Sequence, residues 1–384
     1  IQADTIVYEK SGVDACLAVL DGGQLREFEV FNENGAAEGN VYLGRIVKKV
    51  SLADDKTGFM VNVGDDKEAF MNAQERGLLE VNMTEGQCVV VQVSKEARAD
   101  KGAKLVRAVQ IAGTYLVYRP FGTFIDVSTK ITDEEKAREL HDAVMKNVSS
   151  QQEGWVVRTA AADADINAVI EEMTELRGIY ENIRNAILYL LSGNAAGILC
   201  VLMTSILGMP VPFLPVHLLF INLLTDSLPA IAIGMEPAGK GLLHRPPRDP
   251  KASFLNKETM IRILLQGVLI GACTMGAYFK GLEVSAALAS TMAFATLTLA
   301  RLLHGFNCRA DASIVRLRLR SNPYSIAAFF AGAVLLAAVL LIPGLETLFS
   351  VAAMNTIQLG WIVLLAVIPT LLIQGWKMIC ERKN

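Results

Sequence analysis

Residues 215–235 read PVHLLFINLLTDSLPAIAIGM, an apolar run long enough to cross a bilayer that nevertheless carries an acid. An ionised Asp in the middle of a membrane helix costs about 2.5–3.5 kcal/mol on insertion scales, so Asp226 needs a partner. On a helix Asn222, Thr225 and Asp226 stand at i, i+3 and i+4 and share one face. Pro229, three residues further on, removes a backbone donor and is expected to open the helix, leaving carbonyls aimed at the same spot. Carboxylate, amide, hydroxyl and carbonyl oxygens together suit a hard divalent cation such as calcium. The same residues can instead act as polar glue between helices. A guanidinium clasping the carboxylate would remove the need for an ion, so the buried acid calls for a cation only where no basic side chain reaches it.

Working outward, five further runs are long and apolar enough to span, giving segments 185–207, 214–235, 258–279, 285–305, 324–342 and 357–379. The loops after the second and fourth segments and the tail KMICERKN are basic, whereas the alternate loops carry almost no positive charge. The positive-inside rule then puts both ends in the cytosol of an integral plasma-membrane protein. The first span holds Asn194 beside Ser192, Gly193 and Gly197; the small residues permit close helix approach, and Asn194 can serve as cation ligand or as glue. Arg301, near the cytosolic end of the fourth span, either snorkels to the interface or faces the bundle where a cation could bind.

Totals agree with a membrane protein: 384 residues, 52% hydrophobic, and a mean hydropathy of +0.37, too apolar for an ordinary soluble enzyme. The net charge of -3 hides an uneven distribution, with charged residues crowded into the first half. Six cysteines form no CxxC pair and read as reduced packing thiols rather than a zinc site or disulfide framework. The start IQADTIVYEK lacks a signal-peptide pattern and an initiating Met, so the first half is expected in the cytosol and the sequence is expected to start mid-gene.

That first half alternates like strands: TIVYE, ACLAVL, LREFEVF, VYLGRIVKKV, GFMVNVG, EAFMNA and GQCVVVQVSKE. Such spacing predicts a small closed barrel. Phe59 and Phe70, with Arg45 and Lys101, are the residues from which a stacking platform and basic track for single-stranded nucleic acid could be built, although either Phe also suits a core. ITDEEKARELHDAVMKNV predicts an amphipathic helix with Thr132 as cap and Glu135 as its capping-box partner. INAVIEEMTELRGIYENIR is a polar helix that leads straight into the first span. The chain is thus expected to be multi-domain, with an α+β amino-terminal part containing an OB-type β-barrel and an all-α six-helix transmembrane bundle. The expected parts are 1–37 (strands), 38–104 (barrel), 105–176 (α/β region) and 177–384 (membrane domain).

The run GNVYLGRIVKKV, GFMVNVG, EAFMNA, DKGAKL, IAGTYLVYRP and GWVVRTAA resembles, in order, the amino-terminal part of the ribonuclease E/G family. That resemblance implies an S1-type RNA-binding barrel followed by a sensor for the 5' monophosphate of single-stranded RNA. It assigns RNA contact to Phe59, Phe70 and Lys101, and the sensor pocket to Gly113, Val117, Arg158 and Thr159. The chemistry is consistent, since a guanidinium offers a planar fork of donors to a terminal phosphate and Thr159 adds a hydroxyl. The family's nuclease domain would begin just after residue 176, where this chain turns apolar, so RNA cleavage is not expected.

A second resemblance rests on GIYENIRNAILYLLSGN, PVHLLFINLLTDSLPAIAIGMEP, STMAFATLTLARLLHGFNCR and NPYSIAAFF, which look like the carboxy-terminal six membrane helices of P-type cation-transporting ATPases, bacterial calcium pumps in particular. By that resemblance Asn222 and Asp226 are metal ligands, and Thr225 and Asn194 are possible further ones. Two-ion members carry acids where this chain has Gly197 and Arg301, which argues for a single site with the guanidinium neutralising the other. The string Asp55-Lys56-Thr57-Gly58-Phe59 differs by one residue from that family's phosphorylation motif, but it sits in a turn of the ribonuclease-like part and reads as turn chemistry. The expected function is therefore transport of a divalent cation, calcium as cargo, by the terminal membrane part of a pump. Mg2+ and ATP enter only if phosphorylation and nucleotide domains are supplied, and coupling is not expected from this chain alone. Its rivals are a membrane-tethered RNA-binding module and an inert fusion joined near residues 171–180. Membrane lipid is a partner on either functional reading, and the oligomeric state is not set by the sequence.

Overall fold

The structure is a computed structural model and describes residues 5–11, 14–21, 24–32, 36–52, 57–65, 67–74, 83–97, 101–120, 122, 124–148, 153–239, 242–244 and 257–383. Asp55 and Lys56 lie outside the described residues. The chain divides into two compact units, Ile1–Leu176 with Leu243–Ser253, and Arg177–Leu242 with Phe254–Asn384.

The first unit opens with an antiparallel sheet of β1 (Thr5–Ser11), β2 (Asp14–Asp21) and β3 (Gln24–Asn32). A closed barrel follows, ordered β4-β5-β6-β8-β7, from β4 (Val41–Ser51), β5 (Thr57–Asn62), β6 (Ala69–Asn72), β7 (Cys88–Lys95) and β8 (Lys104–Val106). Alternate positions of these strands point inward, as period-2 geometry requires, and Ile46, Val61, Met71, Val91, Val93 and Leu105 fill the core. Phe59 belongs to that core at 3% exposure. The expectation that it offers a stacking face is therefore corrected: two residues before Val61 on β5, it shares the inward side. Phe70 lies on the opposite phase, between the inward Ala69 and Met71 of β6, and is half-buried.

Beyond the barrel, β9 (Ile111–Ala112), β10 (Leu116–Arg119), β11 (Ile125–Val127) and β12 (Gly154–Val157) form a sheet ordered β11-β12-β10-β9. The parallel pair β11 and β12 brackets helix α1 (Glu134–Asn147). The α1 cap is Asp133, not Thr132: its Oδ1 accepts the Glu135 N–H at 2.9 Å and the Lys136 N–H at 3.1 Å. A carboxylate takes two orphan amides at once and adds charge that a helix N-terminus favours, which a hydroxyl does not.

Helix α2 is continuous from Ile166 to Ile206, as expected for the polar run that leads into the first span. The second unit continues with α3 (Pro215–Gly234), α4 (Lys257–Leu282), α5 (Ala286–Asn307), α6 (Pro323–Leu341) and α7 (Thr356–Lys383). These and α2 are six helices long and apolar enough to cross a membrane, at the six expected places. Helix α5 is the centre of the bundle and packs against α4, α6 and α7. Its sequence is apolar or small all round, from Leu288 and Ala289 through Ala300, and nearly every side chain is buried, which is what a helix without a polar face must do.

Helix α3 is distorted, in a form that moves one of the expected residues. The helix is irregular just ahead of Pro229: Phe220–Thr225 form one π turn, closed by the Asp226 N–H on the Ile221 carbonyl at 2.8 Å, and α-helix resumes at Ser227. The wider turn advances each residue by a smaller angle than an α-helix, so the i, i+3, i+4 face does not survive it. Thr225 and Asp226 are buried while Asn222 is exposed, which corrects the expected shared face.

Candidate functional site

Asp226, 2% exposed, is held from two other helices. Arg301 of α5 donates through Nη2 to Asp226 Oδ2, forming a buried ion pair. The same Nη2 donates to Asn194 Oδ1 of α2 at 3.1 Å, and the Tyr189 hydroxyl of α2 donates to Asp226 Oδ1 at 3.3 Å. Close approach is possible because Gly193 has no side chain: a Cβ there would overlap the Arg301 guanidinium, falling 2.7 Å from Cζ and 2.8 Å from Nη2. Arg301 thus faces the bundle rather than snorkelling.

The acid therefore has its counter-charge inside the chain, and burial by itself no longer calls for a metal ion. This corrects the inference drawn from Asp226 alone. Two of the oxygens named as ligands, on Asp226 and Asn194, accept from the guanidinium, while the Thr225 hydroxyl donates to the Ile221 carbonyl at 3.0 Å. Asn222 stands apart on the exposed side. Among the described residues no group of three or more His, Cys, Asp or Glu side chains could hold a metal ion.

A second polar layer lies one turn away and was not foreseen. Asn307 accepts from Gln374 Nε2 at 2.8 Å and turns its NH2 to His304 Nδ1 at 3.2 Å, so the His304 proton sits on Nε2. That nitrogen faces Ser192 Oγ at 3.0 Å, and Ser192 donates on to the Leu188 carbonyl at 2.8 Å. The signal for this layer was the spacing of Arg301, His304 and Cys308 along one face of an otherwise apolar helix.

In the first unit the proposed sensor residues do come together. Gly113 forms the turn between β9 and β10, Val117 pairs with Ala112 and Val156, and Arg158 and Thr159 follow β12 directly. Arg158 donates through Nη1 to the Gly113 carbonyl and through its backbone N–H to the Tyr115 carbonyl at 2.7 Å. Thr159 Oγ1 lies 3.2 Å from Ser128 Oγ. Arg158 and Thr159 are exposed, as a group meeting a ligand must be. On the barrel, Arg45 and Lys101 are exposed, and the half-buried Phe70 pairs across strands with Met60 and Lys104.

Residues 210–379 match the family described as cation transporting ATPase, C-terminus, and residues 110–199 match the ribonuclease E/G family. The two parts of this chain resemble different families. The calcium-transporting ATPase of Bacillus subtilis (strain 168) is 33% identical over 255 residues, covering 65% of this chain and 27% of that protein. That of Listeria monocytogenes (serovar 1/2a, strain ATCC BAA-679 / EGD-e) is 36% identical over 196 residues, covering 50% and 22%. Calcium-transporting ATPase 1 of Lactococcus lactis subsp. lactis (strain IL1403) is 34% identical over 200 residues, covering 52% and 22%. The chain spans about a quarter of the length of these relatives. Together with the six apolar helices, the ATPase-like match makes this an integral membrane protein.

Proposed function

We propose that residues 178–384 are the terminal membrane part of a P-type cation-transporting ATPase and that calcium is its cargo. The observation that carries the reading is the match of residues 210–379 to the cation transporting ATPase C-terminus, over helices long and apolar enough to span and with similarity to calcium-transporting ATPases. The proposal is one ion per chain at Asp226, bound when the carboxylate exchanges Arg301 for the cation; Asn222, which faces outward here, joins it only when α3 rewinds out of its π turn. Asn194 joins the shell when its oxygen leaves Arg301, and Thr225 can offer a lone pair while its hydroxyl still donates to Ile221. Coupling to ATP, with Mg2+, belongs to phosphorylation and nucleotide domains that the pump as a whole would supply. Both ends of the chain are read as cytosolic from the loop charges.

Calcium binding to the purified full chain in detergent tests the site. Saturable binding is expected to disappear in Asp226→Asn and to tighten in Arg301→Met, where the competing guanidinium is gone. Binding that persists unchanged in Asp226→Asn would remove the assignment.

A second reading applies to the other unit: residues 1–176 bind single-stranded RNA with a 5' monophosphate. The closed barrel and the grouping of Arg158, Gly113, Val117 and Thr159 favour it. The full chain is then expected to bind 5'-monophosphorylated RNA more tightly than the 5'-hydroxyl form, and Arg158→Ala to lose that preference. A preference retained in Arg158→Ala would exclude the pocket.

A further inference from the structure

The turn at Gly113–Leu116 is held by side chains from outside it. The Leu116 N–H, which in an ordinary two-residue turn closes onto the Gly113 carbonyl, donates instead to Glu172 Oε2 at 2.8 Å. The Tyr115 N–H donates to the same oxygen at 2.8 Å and the Thr114 N–H to Glu172 Oε1 at 2.5 Å. The Gly113 carbonyl left over is the one that Arg158 takes. Three successive amides converging on one carboxylate form a backbone anion nest. Gly113 is required for a further reason, since a Cβ there would fall 2.6 Å from both the Glu172 carboxyl carbon and Oε1.

We propose that Glu172 is a positioning residue for the phosphate pocket: its carboxylate fills the nest, fixes the turn, and so presents the Gly113 carbonyl that aims Arg158. The proposal rests on the RNA reading for its functional half only. Neither the sensor residues carried over from the resemblance nor the barrel face includes Glu172, and the nest accepts a small carboxylate whenever that side chain is removed. A charge-assisted contact of this kind is strong because three donors share one anion in a partly buried place.

Hydrogen exchange of the full chain in detergent judges the nest directly. In Glu172→Ala the amides of 113–118 are expected to exchange faster, with the rest of the unit unchanged, and excess acetate is expected to restore their protection. Affinity for 5'-monophosphorylated against 5'-hydroxyl RNA judges the positioning. The preference is expected to fall about tenfold in Glu172→Ala, the scale of losing a charged hydrogen bond, and to return with acetate. Glu172→Gln, which keeps the side-chain volume, serves if the Ala variant unfolds. Unchanged exchange at 113–118, loss in Glu172→Ala that acetate does not reverse, or acceleration spread through the whole unit in both variants would overturn the proposal. A wild-type chain without any 5'-phosphate preference would instead defeat the RNA reading, and the exchange experiment would still decide the nest.

Discussion

Two buried arginine–carboxylate pairs stand in the same bundle and are built differently. Arg309 grips Glu236 with both prongs, Nε to Oε2 and Nη2 to Oε1, each at 2.8 Å. Its remaining donors reach Ser321 Oγ at 2.7 Å and the Leu319 carbonyl at 3.3 Å, while Asn322 donates to Glu236 Oε2 and to the Ala232 carbonyl, both at 2.8 Å. Asn182 and Asn185 of α2 donate to the backbone carbonyls of Glu236 and Arg309 at 2.6 and 3.2 Å. Arg301, by contrast, meets Asp226 with a single nitrogen shared with Asn194, and its buried Nε has no hydrogen-bond partner among the described residues. A forked, saturated pair fixes the ends of helices; a one-pronged pair with an idle donor leaves its carboxylate open to exchange.

The largest expected effect breaks the saturated pair. Arg309→Ala or Glu236→Ala leaves a buried charge without its partner and should cost about 3–5 kcal/mol, read as a lowered unfolding midpoint in detergent. Replacing both at once, Glu236→Leu with Arg309→Met, should recover much of that loss, because the cost lies in the orphaned charge. If the single and double variants melt alike, the fork is packing and the contrast with Arg301 dissolves.

An intermediate effect sharpens the other side. Gly193→Ala places a methyl in the space of the Arg301 guanidinium and should cost about 1–3 kcal/mol through overpacking. In an Arg301→Met background the same change should cost less, since a flexible thioether yields where a planar fork cannot. Equal costs in the two backgrounds, in a double-mutant cycle, would show that Gly193 serves helix packing alone.

These contrasts also mark what could be read from residues in order. The six spans were legible because hydropathy is local, and Asp226 stood out as an acid in an apolar run. Arg301 was visible as one of two alternatives; which one holds depends on Gly193, a residue over a hundred positions away in the chain. Asn222 was misplaced because a π turn is decided by how α3 packs, whereas Pro229 marks only that some distortion is near. Phe59 and Phe70 lie on different strands, and strand alternation alone does not say which phase is inward. Tyr189 and His304 read as ordinary aromatic and polar residues until another helix supplies their partners. Glu172 was one of a run of acids on a polar helix, with nothing local to set it apart from Glu171 or Glu175.

The smallest expected effect comes from a third arginine pairing, this time at the surface. Asp311 accepts from Arg262 Nη1 at 2.7 Å and lies 3.5 Å from Arg184 Nη2, with its side chain 47% exposed. Partial burial alone would raise its carboxyl, but the Arg262 and Arg184 guanidinia outweigh that and hold it below the usual carboxylate range. A carboxyl depressed in the folded state contributes stability above its unfolded value, about 3.9, and loses it as pH falls through the folded value. Asp311→Asn should therefore lower the unfolding midpoint at neutral pH by the equivalent of less than about 1 kcal/mol, since exposed pairs are screened by water and salt. The gap should close as the pH is taken below the usual carboxylate range and should shrink in high salt. A gap that survives acid would mean that Asp311 acts through its shape and hydrogen bonds, and the division between exposed and buried pairs would have to be drawn on geometry instead of charge.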